Sequence, residues 1–234
     1  MSVFLDAWHY FAEGANWRGP AGIGTRIIQH LYYSVVTVAV SAVIAVPLGL
    51  LIGHIRRGAA MLVGFANAMR ALPTLGLLTF LVLLLGLGPI PPLLALVTVG
   101  VPPLLAGAYA GMANVATDVV DSSRAMGMTE RQILLQVELP NALPVLLTGL
   151  RSATLQVVAT ATIAAYVNLG GLGRFIFDGI SLYRYDRVLV GALLVAILAM
   201  LLDGVLAFAV WASAPGTGRL TRPSRPTGEV ASTR

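Results

Sequence analysis

Six ionisable side chains stand within one short stretch near the middle of this chain: Asp118, Asp121, Arg124, Glu130, Arg131 and Glu138. The surrounding sequence is greasy, so the stretch "DSSRAMGMTERQILLQVELP" (121–140) needs a reason to be polar. Its spacing is helical. Thr129 followed by Gln132 is a capping-box pattern, which predicts a helix from Thr129 to about Glu138. Asp118 is placed to cap a first short helix ending near Met126. Gly127 lies between the two, where a sharp turn needs freedom in φ. Pro140 is expected to close the second helix and open the next. Ile133, Leu134 and Val137 form a short apolar stripe, with Glu130, Arg131 and Glu138 pointing elsewhere. The chemistry on offer is recognition by two short amphipathic helices. Such a loop suits either lipid headgroups or a groove on another protein. A loop of roughly 30 residues with its own capped helices is usually functional.

The elements around this loop belong in a membrane. Hydrophobic residues make up 57% of the 234-residue chain and charged residues 11%, against about 25% charged in soluble domains. Mean hydropathy is +0.85. A bilayer core of about 30 Å takes about 20 apolar residues as helix. Five stretches qualify, near 27–55, 59–86, 91–112, 143–169 and 188–212. The second carries "RALPTLG", and Pro73 is expected to kink it or break it. The sequence therefore divides into an N-terminal segment (1–24) with an interfacial helix, a membrane-spanning domain (25–212) and a Pro- and Arg-rich tail (213–234) expected to be disordered. In the N-terminal helix, Val3, Phe4, Ala7, Trp8 and Phe11 share one face, fit to lie on a membrane.

Five crossings put the termini on opposite sides. Arg56, Arg57, Arg124, Arg131, Arg219, Arg222, Arg225 and Arg234 fall on one side, with Arg18, Arg26, Arg174, Arg184 and Arg187 on the other. The excess marks the cytoplasmic side. It places the polar loop and the C-terminus inside and the N-terminus outside. The net charge of +5 is spread over several segments and gives no nucleic-acid footprint. There is no cysteine, and His9, His30 and His54 stand apart with no metal-ligand spacing, so all three read as structural.

The polar loop resembles the cytoplasmic signature of permease subunits of ATP-binding-cassette importers: E-A-A, three residues, G, nine residues, I-x-L-P. Here Asp121-Ser122-Ser123, Gly127, Val137, Leu139 and Pro140 stand at the matching positions. The departures keep charge sign, small size or hydrophobicity. The resemblance implies that this loop, with Thr129 and Glu130 at the head of its second helix, is a coupling helix that docks on an ATPase subunit. "HLYYSVVTVAVSAVIAVPLGLLIGH", "RALPTLGLL", "MGMTERQILLQVELPNALPVLLTGLRSAT" and "NLGGLGRFIFDGI" are similar to the osmoprotectant branch, importers of glycine betaine, choline, carnitine or related compounds.

That resemblance implies an all-α integral membrane protein with a five-helix core like that of a methionine-importer permease. It implies a second permease copy or a paralogue, a separate ATPase that holds ATP and Mg, and an extracytoplasmic binding protein. The chain would be a bacterial inner-membrane transport subunit and not an enzyme, with no cofactor or metal of its own. No G-x-x-x-x-G-K-[ST] occurs, and no compact aromatic cage for a quaternary ammonium lies in the spans. Rival readings are an importer of another small solute such as an amino acid, an ion-coupled secondary transporter, or a membrane anchor.

Three further features invite a role. Gly170, Gly171 and Gly173 of "LGGLG", with Pro73, are candidates for a gate or hinge; the glycines equally fit close helix packing. Arg70 in the second span and Asp203 in the fifth are intramembrane charges. Counted from the cytoplasmic ends of their spans, they lie at depths of roughly 16 and 14 Å. Similar depth and opposite sign predict that they pair.

Overall fold

The structure is a computed structural model that describes residues 2–167 and 169–213. The tail expected to be disordered lies, beyond Ser213, outside the described residues. Every described element is helical. In chain order these are α1 (Ser2–Ala12), α2 (Ile23–Ile55), α3 (Ala59–Ala71), α4 (Thr74–Leu85), α5 (Ile90–Ala113), α6 (Thr117–Ala125), α7 (Glu130–Gln132), α8 (Leu139–Ala164), α9 (Gly173–Ser181) and α10 (Tyr185–Ser213). In lipid only internally bonded backbone is affordable, and a helix supplies it within one segment.

Four stretches are long and apolar enough to cross a membrane: α2, α5, the continuous run Glu130–Val167, and α10. The pair α3–α4, bent by 80°, makes a fifth when counted as one span. The break falls where Pro73 predicts it. Leu72 is extended (φ −69°, ψ 126°), the conformation imposed on a residue before proline, and α4 restarts at Thr74.

α5 is the centre of the bundle, packed between α2 and α8. Close packing there depends on small residues, because lipid gives helices no hydrophobic drive toward each other. Gly49 and Gly53 of α2 lie against Ala108 and Met112 of α5. Gly107 of α5 meets Gly149 of α8 backbone to backbone; a Cβ on Gly107 would sit 2.6 Å from the Gly149 Cα. α10 lies outside α8 and α9, and α1 packs on α10 through the buried Ala7. Phe4 and Trp8 of α1 stay exposed beside Leu193 and Ile197 of α10.

Two local expectations are corrected. The helix predicted to end at Pro140 does not end there. It runs unbroken from Glu130 to Val167 as one 38-residue helix. Pro140 has no N–H, and its ring would clash with the carbonyl of Gln136 in a regular α-helix. The turn before it widens instead: residues Ile133–Glu138 are π-helical, and the Leu139 N–H bonds to the Leu134 carbonyl. Nor does Asp118 cap α6. That helix starts one residue earlier, at Thr117, after Ala116. Asp118 sits in its first turn, where its charge faces the positive end of the helix dipole.

Candidate coupling loop and the polar contacts of the bundle

The loop between α5 and α8 has a small core of its own. Val115, Val120 and Ile133 are buried together, with Met128 and Val137 packed on them. This corrects the expected use of the apolar stripe. Ile133 is fully buried and Val137 half-buried, so they hold α6 against the π-helical turn, while Leu134 stays half-buried outside that core. The apolar residues the loop exposes are Val119, Met126 and Leu135.

The turn between α6 and α7 is built as the sequence predicts. Gly127 has φ +86°, in the left-handed region that glycine adopts without steric cost. The capping box is present: the Thr129 Oγ1 accepts from the Gln132 N–H, and the Gln132 Oε1 accepts from the Thr129 N–H at 2.8 Å. Arg124 bridges the turn. Its Nε and Nη2 donate to Glu130 at 2.8 and 3.1 Å, and its Nη1 donates to Asp121 at 3.1 Å. The bond to Glu130, helped by Asp121, raises the affinity of the Arg124 guanidinium for its proton above the ordinary value. All three side chains are open to solvent, which screens the attraction; the bridge fixes direction more than it adds stability. Ser122 and Asp121 are exposed, while Ser123 is buried and donates to the Val119 carbonyl at 2.8 Å.

The C-terminal end of α2 grips the loop at both of its ends. Arg56 Nη2 donates to the Val115 carbonyl at 2.8 Å, where the loop begins. Where the loop ends, His54 sits between two carboxylates. Its Nδ1 bonds to Glu138 Oε2, and its Nε2 is 3.4 Å from Glu130 Oε2. Glu138 is completely buried, in the π-helical turn, and its Oε1 has no other protein partner among the described residues. A chain of contacts thus runs Asp121–Arg124–Glu130–His54–Glu138, from the loop's outer face to the bundle. Sequence reading assigned His54 no partner. The signal was available in principle: His54 closes the first span, and Glu138 is a carboxylate five residues before the fourth span expected at 143–169.

The two intramembrane charges do not pair with each other. Asp203 is bonded to Arg151 of α8, with Nε–Oδ1 at 2.5 Å and Nη2–Oδ2 at 2.6 Å. This planar fork-to-carboxylate geometry is what an arginine offers and a lysine cannot. Depth along two helices says nothing about which faces meet, and α10 packs on α8. Arg151, already inside the 143–169 span, was the residue to weigh. Arg70 instead lines a separate cavity at the α3–α4 break.

The glycine turn is tied to α2. Gly170 and Gly171 have φ +93° and +75°. The Gly171 N–H donates to Gln29 Oε1 at 3.1 Å, and the Leu172 N–H to His30 Nδ1 at 3.3 Å. The other His30 nitrogen, Nε2, donates to the Val158 carbonyl at 3.0 Å. These partners assign His30 the Nε2–H tautomer. Gly173 is a packing glycine: a Cβ there would collide with the Thr162 carbonyl.

The described family that matches residues 45–210 is "Binding-protein-dependent transport system inner membrane component". A glycine betaine/carnitine/choline transport system permease protein of Bacillus subtilis is 37% identical over 179 residues, covering 76% of this chain and 82% of its own. A choline transport system permease protein of the same organism is 37% identical over 184 residues, covering 79% and 85%. An osmoprotectant import permease protein of Salmonella typhimurium is 34% identical over 187 residues, covering 77% of each chain. Among solved structures, an inward-facing MetNI methionine ABC transporter superposes with a TM-score of 0.71 over 80% of this chain and 94% of that one, at 22% identity. That likeness establishes the fold: an all-helical bundle of the kind seen in that transporter.

Proposed function

The chain belongs to the family of inner membrane components of binding-protein-dependent transport systems, and from that premise we propose that it imports an osmoprotectant such as glycine betaine, choline or carnitine. It is the transmembrane permease subunit of an ATP-binding-cassette importer. Its solute is delivered by an extracytoplasmic binding protein, and two permease chains, identical or paralogous, enclose the path. ATP and Mg bind to a separate ATPase subunit that docks on the loop 114–142. The observation that carries this reading is the loop: a pre-formed helical hairpin with the spacing of the coupling signature, held at both ends by α2.

The solute assignment rests on the named relatives, and its test is uptake. With its ATPase and receptor in proteoliposomes, the complex should import at least one of glycine betaine, choline and carnitine, dependent on ATP. Uptake of an amino acid in their place would overturn it.

The orientation follows from the arginine excess, which places the loop and C-terminus in the cytoplasm and the N-terminus outside. The chain has no cysteine of its own. Single cysteines at Ser122 and Ser181 should label from opposite faces of a sealed membrane. Labelling of both from one face would mean that the run Glu130–Val167 does not cross, and would overturn the topology.

A further inference from the structure

Two arginines, Arg70 and Arg151, lie well away from the ends of the spans, and they are treated differently. Arg151 has a carboxylate, Asp203, closed on it by two hydrogen bonds. Arg70 has no ion-pair partner among the described residues. A guanidinium cannot shed its charge by losing a proton. Placed at membrane depth, it must find water or an anion, and such residues mark solute pathways more often than they decorate them.

The surroundings of Arg70 fit an anion. It lines a cavity of about 140 Å³ together with Thr74, Thr98, Gln156 and Thr160. These come from three elements: the α3–α4 break, α5 and α8. They offer hydroxyls and an amide, and none is a carboxylate. A cavity of this size has room for a carboxylate and several waters, each water taking ~30 Å³ in the liquid. The backbone adds to the same sign. Span two is broken at Leu72–Pro73, so α4 restarts partway along the span at the half-buried Thr74, and no side chain caps its first N–H groups. Its positive dipole end lies beside the cavity, as at the half-helix sites of other carriers.

We propose that the cavity around Arg70, Thr98 and Gln156 is a passing site for the carboxylate of a zwitterionic solute. The claim rests on the osmoprotectant reading above and deepens it. Arg70 would present its fork to the carboxylate of glycine betaine or carnitine, while the neutral neighbours keep the site weak enough to release it. Choline has the same ammonium and no carboxylate, so the site ignores it. One partnerless charge is then explained by a counter-ion that comes and goes.

The experiment compares Arg70→Gln and Arg70→Lys in the assembled complex, with its ATPase and receptor in proteoliposomes. Arg70→Gln should lower uptake of glycine betaine and carnitine by roughly tenfold or more, the scale of one lost hydrogen bond to a charged group. Choline uptake should change by less than about twofold, and Arg70→Lys should recover part of the loss, as a point charge without the fork. Equal losses on all three solutes, or no loss, would overturn the proposal.

A second measurement needs neither an arginine variant nor an osmoprotectant. With Thr98→Cys as the only cysteine in this chain, an anionic methanethiosulfonate should react faster than a cationic one. Equal rates, or a cationic preference, would overturn the anion site. If the wild-type complex imports none of the three solutes, the osmoprotectant reading falls, and the reagent preference still decides whether the cavity selects anions.

Discussion

Glu138→Leu is expected to leave a permease that reaches the membrane and binds its ATPase but no longer couples the two. Glu138 is buried in the π-helical turn and held by His54, the residue through which the first span touches the loop's exit. Removing the carboxylate separates α2 from that turn and strands the imidazole beside Glu130. A coupling free energy between sites is typically about 1–3 kcal/mol, or about 5–150-fold. Solute-stimulated ATP hydrolysis should therefore fall by about tenfold or more. His54→Leu should do the same. Glu138→Gln keeps a hydrogen-bonding group of the same shape and should lose far less. Because leaving one partner of a buried hydrogen bond unpaired is itself destabilising, the thermal midpoint of the purified complex must be read alongside. A Glu138→Leu complex with wild-type stimulation would show that the contact is incidental to coupling.

The second large effect concerns Arg151 and Asp203. Arg151→Met leaves a carboxylate facing α8 in the bundle, and Asp203→Leu leaves a guanidinium. Each single change should lower the yield and thermal midpoint of the complex clearly. The double replacement should be milder than the sum, since it removes both charges and leaves apolar groups of similar size. The measurement is a double-mutant cycle on thermal inactivation. Simple additivity would mean that the two side chains do not act as a pair.

What the sequence revealed divides along a physical line. The spans, the break at Pro73, the turn at Gly127 and the Thr129–Gln132 box were legible, because hydropathy, proline geometry, positive φ and capping are properties of neighbours along the chain. The loop's likeness to a coupling signature was legible for the same reason, as fixed spacing within one segment. Partner choice between helices was not. Asp203 meets Arg151, and His54 meets Glu138 across 84 positions, because of helix rotation and crossing, which no window of sequence encodes. The apolar stripe at Ile133 and Val137 was correctly seen and wrongly assigned. Periodicity shows that a face is apolar and does not show what covers it; here it is Val120 of the preceding helix. Pro140 was read as a stop because a regular α-helix cannot absorb it, whereas a single wide turn can.

That wide turn makes the loop's second half and the fourth span one object. Glu130–Val167 is a rod of 38 residues, about 57 Å long at about 1.5 Å per residue. Gly149 stands near its midpoint, against the backbone of Gly107. The rod also lies on α5 at Ala142 and Val157, on either side of that close approach, and a rigid rod that rocks about its closest contact acts as a seesaw. A tilt of about 5° moves each end by about 2.5 Å in opposite directions over a rod of that length. One end carries Thr129's cap and Glu130; the other reaches Val167, just ahead of the glycine turn that Gln29 and His30 hold. Movement imposed on one face of the membrane then arrives at the other reversed in sense and nearly unchanged in size, with no signal needing to pass from helix to helix.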